Sequence, residues 1–377
     1  MRARITVLIG GLLLLAAARS GAETFVEALK PGPKLKPFTD ALARSISLAL
    51  PTPIAASAGI VFTFDPATGA FVRETSVAGQ LFLERAQPVG RGRWNVSVTY
   101  QRVKIDTFDG HDIERLEDHG IREANGDVVG FPRFGLDLET HQVAFSATYG
   151  LTDQADLNLT VPVLFSELRH RLLQRNPDGT LLPFAVSGTK FGAGDVLLRG
   201  KYRVLERDWF QSALGLVLRL PSGNQDNFQG TGRVELAPLV YVTGRSFVPD
   251  PRIRLQPYLN AGVDFVTDDV GSSEPRWGVG LDAGFLERLT LAAAVLGRHP
   301  LRRLAPAGFL SLPRANGPDR PLFGIRGGRP DVYDFSLGGR VNLWRDTVMA
   351  FVNATVPLND DGARSQVIPT AGLEATF

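Results

Sequence analysis

The stretch Asp195–Glu206 reads DVLLRGKYRVLE, and its basic residues Arg199, Lys201 and Arg203 recur at every second position. Alternate side chains of a strand share a face. These three cations therefore stand in a row, while Leu198, Gly200, Tyr202 and Val204 face the other way. Such a row is unstable unless acids face it or anions pass it. The same parity sets Arg219, Arg233, Arg254, Arg276, Arg298 and Arg340 on polar faces, against Glu235, Asp264, Asp282, Asp334 and Glu374. Two chemistries fit. One is a basic constriction that draws anions or carboxylate-bearing solutes along a pore. The other is a set of ion pairs across a closed wall, because a guanidinium fork matches a carboxylate. Pairing is expected for most of these groups, with a basic excess left over.

Other chemistry-bearing stretches are weaker. TFDGHDIERLEDHG gathers Asp109, His111, Asp112, Glu114, Glu117, Asp118 and His119. Clustered carboxylates suit a divalent cation bridging lipopolysaccharide, but a solvated acidic loop is the expectation. A lipase-like enzyme needs a Ser and a His presented together with an orienting polar residue. His141 falls on the outward parity and Ser146, on the same strand, on the inward one. GAGD at Gly192–Asp195 opens a strand rather than a helix, so it cradles no phosphate. No enzyme, cofactor or metal site is expected.

The elements that would position the charges are strands. Trp94, Val96, Val98 and Tyr100 alternate with Asn95, Ser97, Thr99 and Gln101, and Leu157, Leu159, Val161 and Val163 with Asp156, Asn158, Thr160 and Pro162. Segments of about ten residues repeat this period of two to the end of the chain. About twelve strands result, an even number. A soluble β-sandwich also alternates. Three features favour a wall facing lipid. Charge is confined to one face, since a charge at bilayer mid-depth costs roughly 2–4 kcal/mol. Short turns near Thr152–Ala155, Leu205–Trp209, Leu286–Arg288 and Trp344–Thr347 alternate with long loops near Asp109–Asp137, Leu172–Ala193 and Pro300–Pro330. Finally, Trp94, Tyr149, Tyr202, Phe210, Phe285, Trp344 and Phe377 gather at the short-turn ends, as an interfacial girdle would. The expected fold is an all-β, antiparallel, up-and-down transmembrane barrel with short periplasmic turns and long extracellular loops. Pro162, Pro238, Pro257 and Pro369 fall inside proposed strands and should mark bulges or rim positions.

The first residues, MRARITVLIGGLLLLAAARSGAET, carry Arg2 and Arg4, an apolar run and Ser20-Gly21-Ala22. That is a signal-peptide pattern over residues 1–22, cut after Ala22. The run falls short of the roughly 18 residues a spanning helix needs. Losing Arg2, Arg4 and Arg19 and no acid takes 41 basic residues to 38 against 39 acidic, a formal charge of −1. Near-zero charge gives no case for nucleic acid. An exported chain with no cysteine must be held by a large core or a closed sheet. Residues 23–91 depart from the barrel pattern. KPGPKLKP is a linker, Phe38, Leu42, Ile46 and Leu50 form a helical stripe, and VFTFDPATGAFV forms a hairpin. This segment is either a lumen plug or a loose periplasmic arm, and residues 92–377 form the barrel.

The terminal strand, SQVIPTAGLEATF, resembles the signal read by the barrel-assembly machinery of Gram-negative outer membranes. LFLERAQPVGRGRWNVSVTYQ, VAFSATYGLTDQADLNLTVPV, GAGDVLLRGKY and LRLPSGNQDNFQGTG together resemble the outer-membrane barrel family named for the MetA pathway of phenol degradation. The resemblance runs from about Gln80 to Phe377. It implies transport of small or hydrophobic compounds in the cell outer membrane, and it carries over no functional residue. The leading expectation is a channel for small solutes, hydrophobic or aromatic ones among them. The partners expected are outer-membrane lipid, lipopolysaccharide and the assembly machinery, which would read the strand ending at Phe377. The rival is a plugged barrel whose long loops do the work.

Overall fold

A computed structural model describes residues 83–114, 128–175, 180–250, 252–285, 288–302, 329–344 and 347–377. Thr24, Phe25 and the short paired stretches 62–65, 70–73, 116–117, 121–122, 307–308, 311–312, 320–321 and 324–325 are also described. The signal-peptide, linker and helical-stripe readings lie outside these residues. The hairpin reading falls partly inside them, and its arms Phe62–Asp65 and Ala70–Arg73 pair antiparallel.

Twelve antiparallel strands close into a barrel. They are β1 Trp94–Ile105, β2 Val128–Gly150, β3 Ala155–Arg175, β4 Val196–Glu206, β5 Phe210–Leu220 and β6 Glu235–Gly244. The second half comprises β7 Ile253–Val266, β8 Glu274–Phe285, β9 Leu289–Arg298, β10 Val332–Trp344, β11 Val348–Pro357 and β12 Ile368–Thr376. Each strand pairs with its neighbours in sequence, and β12 returns to β1. Closure leaves the barrel no edge. It is completed at the short-turn end, where Trp94 and Phe377 exchange backbone bonds of 2.8 and 2.9 Å. The last residue of the chain is thus a rung of the wall.

The alternation sorts the two faces as the sequence implies. Val96, Val98, Leu157, Leu159, Leu214, Leu216, Leu281 and Val352 are exposed outward. Asn95, Ser97, Thr99, Asn158, Thr160, Ser336 and Asn353 are buried inward. The Trp94 and Tyr149 rings lie 4.7 Å apart at a tilt of 40°, and those of Trp209 and Phe210 4.1 Å apart, both at the short-turn ends.

The four prolines sit where a ladder is broken or ends. Gly194 donates to the Pro162 carbonyl beside a bulge, because the strand Leu181–Ala193 meets β3 one residue out of register with β4. The β6–β7 ladder skips Pro238. Pro257 lies just beyond the end of the β6–β7 ladder, and Pro369 just beyond the β12–β1 ladder.

The loops expected at Asp109–Asp137 and Leu172–Ala193 are corrected. β2 already begins at Val128, β3 runs to Arg175, and Leu181–Ala193 is a further strand paired on β3. The period of two persists there, but the faces exchange polarity. Leu136, Leu138 and Leu168 are buried inward, while Asp137, Glu139, Glu167 and Arg169 point outward. Beyond the apolar belt the outer face is polar and the inner face is the apolar one.

Candidate functional site

The inner wall has two chemically different sides. From β10 through β12 to β3 it is mainly a ladder of hydroxyls and amides. The Asn158 amide donates to Ser146 Oγ (2.8 Å) and Thr148 Oγ1 (2.9 Å), Asn95 donates to Thr376 Oγ1 (2.9 Å), and Ser336 donates to Asn353 Oδ1 (3.0 Å). Its charges are compensated: Arg340 pairs with Glu374 at 3.1 Å, both side chains 1% exposed.

The side from β3 to β9 is charged, and residues 83–90 lie against it. Every residue of this LERAQPVG stretch is buried. Leu83 packs with Tyr258 and Ala294, and Ala86 with Ala213, Ala237, Leu239 and Tyr241. The backbone is held by wall side chains: Ala86 N–H donates to Thr243 Oγ1 (2.9 Å) and Val89 N–H to Asp156 Oδ2 (3.0 Å). Asn260, with its amide turned to suit, donates to the Glu84 carbonyl at 3.0 Å and accepts from the Glu84 N–H at 2.6 Å. These groups stand in for the ladder partners that a lone extended segment lacks. Arg85 lies 6.0 Å over the Tyr258 ring, whose hydroxyl donates to Gln256 Oε1 at 2.9 Å, and Asp282 is fully buried.

Glu84 is the centre of the charge arrangement. Its carboxylate accepts from the Arg199 guanidinium and from Lys201 Nζ at 2.8 Å. Lys201 also reaches Asp156 (3.3 Å) and the Gln87 carbonyl (2.9 Å). Two acids therefore meet the two deepest cations of the β4 row. The segment then leaves the lumen at the short-turn end. Gly90 and Gly92 have φ of 99° and 72° there, a backbone glycine adopts without strain. A Cβ on Gly150 would stand 1.7 Å from the Gly90 carbonyl oxygen, so glycine is required at that crossing.

The remaining predicted residues divide by height. Arg203 lies at the short-turn end with Glu206 (3.5 Å) and the Asp153 carbonyl. Arg254 begins β7 on the inward parity. Arg219 pairs with Glu235 (2.9 Å), Arg276 with Asp264 (3.2 Å) and Arg298 with Glu274 (3.5 Å). Asp334 pairs with Arg364 near the long loops. Arg233 is not on a strand. It lies before β6 and bonds Asp269 (3.0 Å), which also takes Arg302 (2.7 Å) and Ser272 Oγ (2.8 Å). Asp269 is held at about 2, below its ordinary 3.8, chiefly by the Ser272 hydrogen bond and then by Arg233.

The acidic stretch is built into the loops. Asp109 accepts from Gly362 N–H (2.8 Å), Asp112 accepts from Glu114 N–H (2.9 Å), and Glu114 pairs with Lys104. Asp118 and His119 lie outside the described residues. His141 Nδ1 shares a hydrogen bond with the Tyr100 hydroxyl on the outer face (2.7 Å), while Ser146 accepts from Asn158 and Thr160 inside.

The partner that sequence reasoning missed is Glu84. Strand parity identifies wall residues, and LERAQPVG has no period to identify it. The faint signal was the surplus of inward cations over inward acids on β4.

No protein-family model matches the chain, and no curated protein matches it. Among solved structures it is similar to an outer membrane channel from Pseudomonas putida F1, at 15% identity and a TM-score of 0.44, covering 78% of this chain and 98% of that one. It is also similar to the NanC porin, at 7% identity and a TM-score of 0.40, covering 74% and 98%. A third is the CymD monoaromatic hydrocarbon channel, at 7% identity and a TM-score of 0.33, covering 76% and 89%. These likenesses are of barrel architecture, and the fold stated above rests on the pairing register of the strands.

Proposed function

We propose that the chain is an outer-membrane channel for small solutes, hydrophobic or aromatic ones among them, with its short turns in the periplasm and its long loops outside. The observation that carries this reading is a closed wall with an apolar outer belt around a polar interior, which a bilayer-spanning pore requires. Residues 1–22 direct export, the girdle containing Phe377 marks the periplasmic interface, and the strand ending at Phe377 engages the barrel-assembly machinery. The long-loop rim faces lipopolysaccharide.

Within the lumen, Leu83–Gly90 acts as a partial plug on the charged side. Glu84 and Asp156 neutralise the Arg199 and Lys201 row, so the path runs along the hydroxyl and amide ladder of β10–β12 and β1–β3. That path favours uncharged solutes over anions. The burial of all eight residues from Leu83 to Gly90 also supports a second reading, a fully plugged barrel serving surface interactions. Full-length protein in planar bilayers separates the two. A channel gives discrete conductance steps and passes small neutral solutes in liposome swelling. Folded protein that gives neither would overturn the channel reading.

A further inference from the structure

One residue shortly after the proposed signal sequence, Phe25, is buried against barrel residues remote from it in sequence. Phe25 is 1% exposed, with its ring 6.2 Å from that of Phe228 and its Cε1 3.4 Å from the place a Cβ on Gly188 would take. Its N–H donates to Asn227 Oδ1 at 3.2 Å. Gly188 is on the inward parity of Leu181–Ala193, since its neighbours Ser187 and Thr189 are the exposed ones and Lys190 pairs with buried Ser166. Phe25 therefore sits inside the long-loop mouth, in a seat formed by the strand Leu181–Ala193 and the turn Gln225–Asn227.

The seat is built rather than incidental. Phe228 itself is 1% exposed and has φ 56°, ψ 29°, a left-handed backbone for a bulky aromatic. Such a conformation is strained and persists only where surrounding structure imposes it. That structure is present: Asn224 caps the turn by accepting from Asn227 N–H, and Gln229 N–H donates to the Asn224 carbonyl at 2.9 Å. Asp195 ties down the rest of the loop, accepting from Gly223 N–H (3.0 Å) and Thr231 N–H (2.8 Å). The strained residue thus presents a ring face inside the mouth. Beside it lie an acceptor, Asn227 Oδ1, and a position without a side chain, Gly188.

We propose that this seat is a binding site for a monocyclic aromatic carrying a hydrogen-bond donor on a short arm, and that Phe25 is its tethered occupant. The Phe25 ring stands for the ligand ring against Phe228, and its N–H stands for the ligand's donor to Asn227. A tethered occupant lowers the apparent affinity of a free ligand by the fraction of time it fills the seat. Phe25 is therefore self-inhibitory, and a ligand arriving from the loop side must displace it.

This deepens the channel reading by naming a ligand class, and it is tested by binding rather than by flux, so either can fail without the other. The probe is 4-fluorobenzyl alcohol, titrated by fluorine NMR against the full-length folded protein in detergent. Phe25→Ala should bind it about tenfold more tightly than the unaltered chain. Gly188→Val in the Phe25→Ala background should remove binding by filling the ring position, with the cold, unboiled gel band showing that the barrel is folded. Equal affinity with and without Phe25, weaker affinity in Phe25→Ala, or binding unaffected by Gly188→Val would each overturn the proposal.

Discussion

Arg340 and Glu374 show what a charge inside this wall demands of its neighbour. Both are almost fully buried and 3.1 Å apart, with the Arg340 guanidinium 5.5 Å over the Phe351 ring. Removing one partner strands the other, which typically costs about 3–5 kcal/mol, whereas replacing both with apolar residues is often near neutral. Arg340→Leu should therefore lower stability in denaturant titrations of the vesicle-embedded barrel by that order, and Arg340→Leu with Glu374→Leu should recover most of it. Asp269 makes a different demand. Its folded pKa of about 2 lies below 3.8, so its contribution is complete above 3.8 and is lost as pH falls through about 2. Amide protection at Ser272 and Ser273, corrected for the intrinsic exchange rate, should be unchanged between pH 6 and pH 4, while Asp269→Asn should lower it at pH 6. The facing of Arg340, Asp282 and Arg276 was legible in the sequence because parity is a local property. The partners of Arg199 and Arg233 were not, because Glu84 and Asp269 come from a segment and a turn that have no periodicity.

At the level of elements, the strands were legible wherever one face is continuously apolar. Leu216 points outward, half exposed, and Val217 packs inward beside the cluster of Ala86 and Leu239. Leu216→Arg should cost roughly 2–4 kcal/mol and reduce folded yield in vesicles, with Val217→Arg costing less. Equal yields would mean the belt is not lipid-facing. The extensions of β2 and β3 were misread as loops for the same physical reason. Above the belt, Leu136, Leu138 and Leu168 turn inward and Glu139 and Arg169 outward, so a search for one continuous apolar face ends too early. The bulge at Gly194-Asp195 compounds this, since one extra residue shifts the inward parity from Gly188 and Lys190 to Arg199 and Lys201.

For the whole molecule, closure of the sheet holds together a chain that has no cysteine. Each of the twelve barrel strands is paired on both sides, Trp94 and Phe377 seal the seam, and hydroxyl ladders and ion pairs line much of the interior. Glu84 holds Leu83–Gly90 against the charged side, and in the proposed channel this segment restricts the pore. Single-channel recording of full-length Glu84→Ala beside the unaltered chain tests it most directly. Loss of the carboxylate frees the segment and uncovers Arg199, so larger conductance steps and a reversal potential shifted toward anion preference in a salt gradient are expected. Identical conductance and reversal potential from folded Glu84→Ala would show that Glu84 does not hold the segment across the pore.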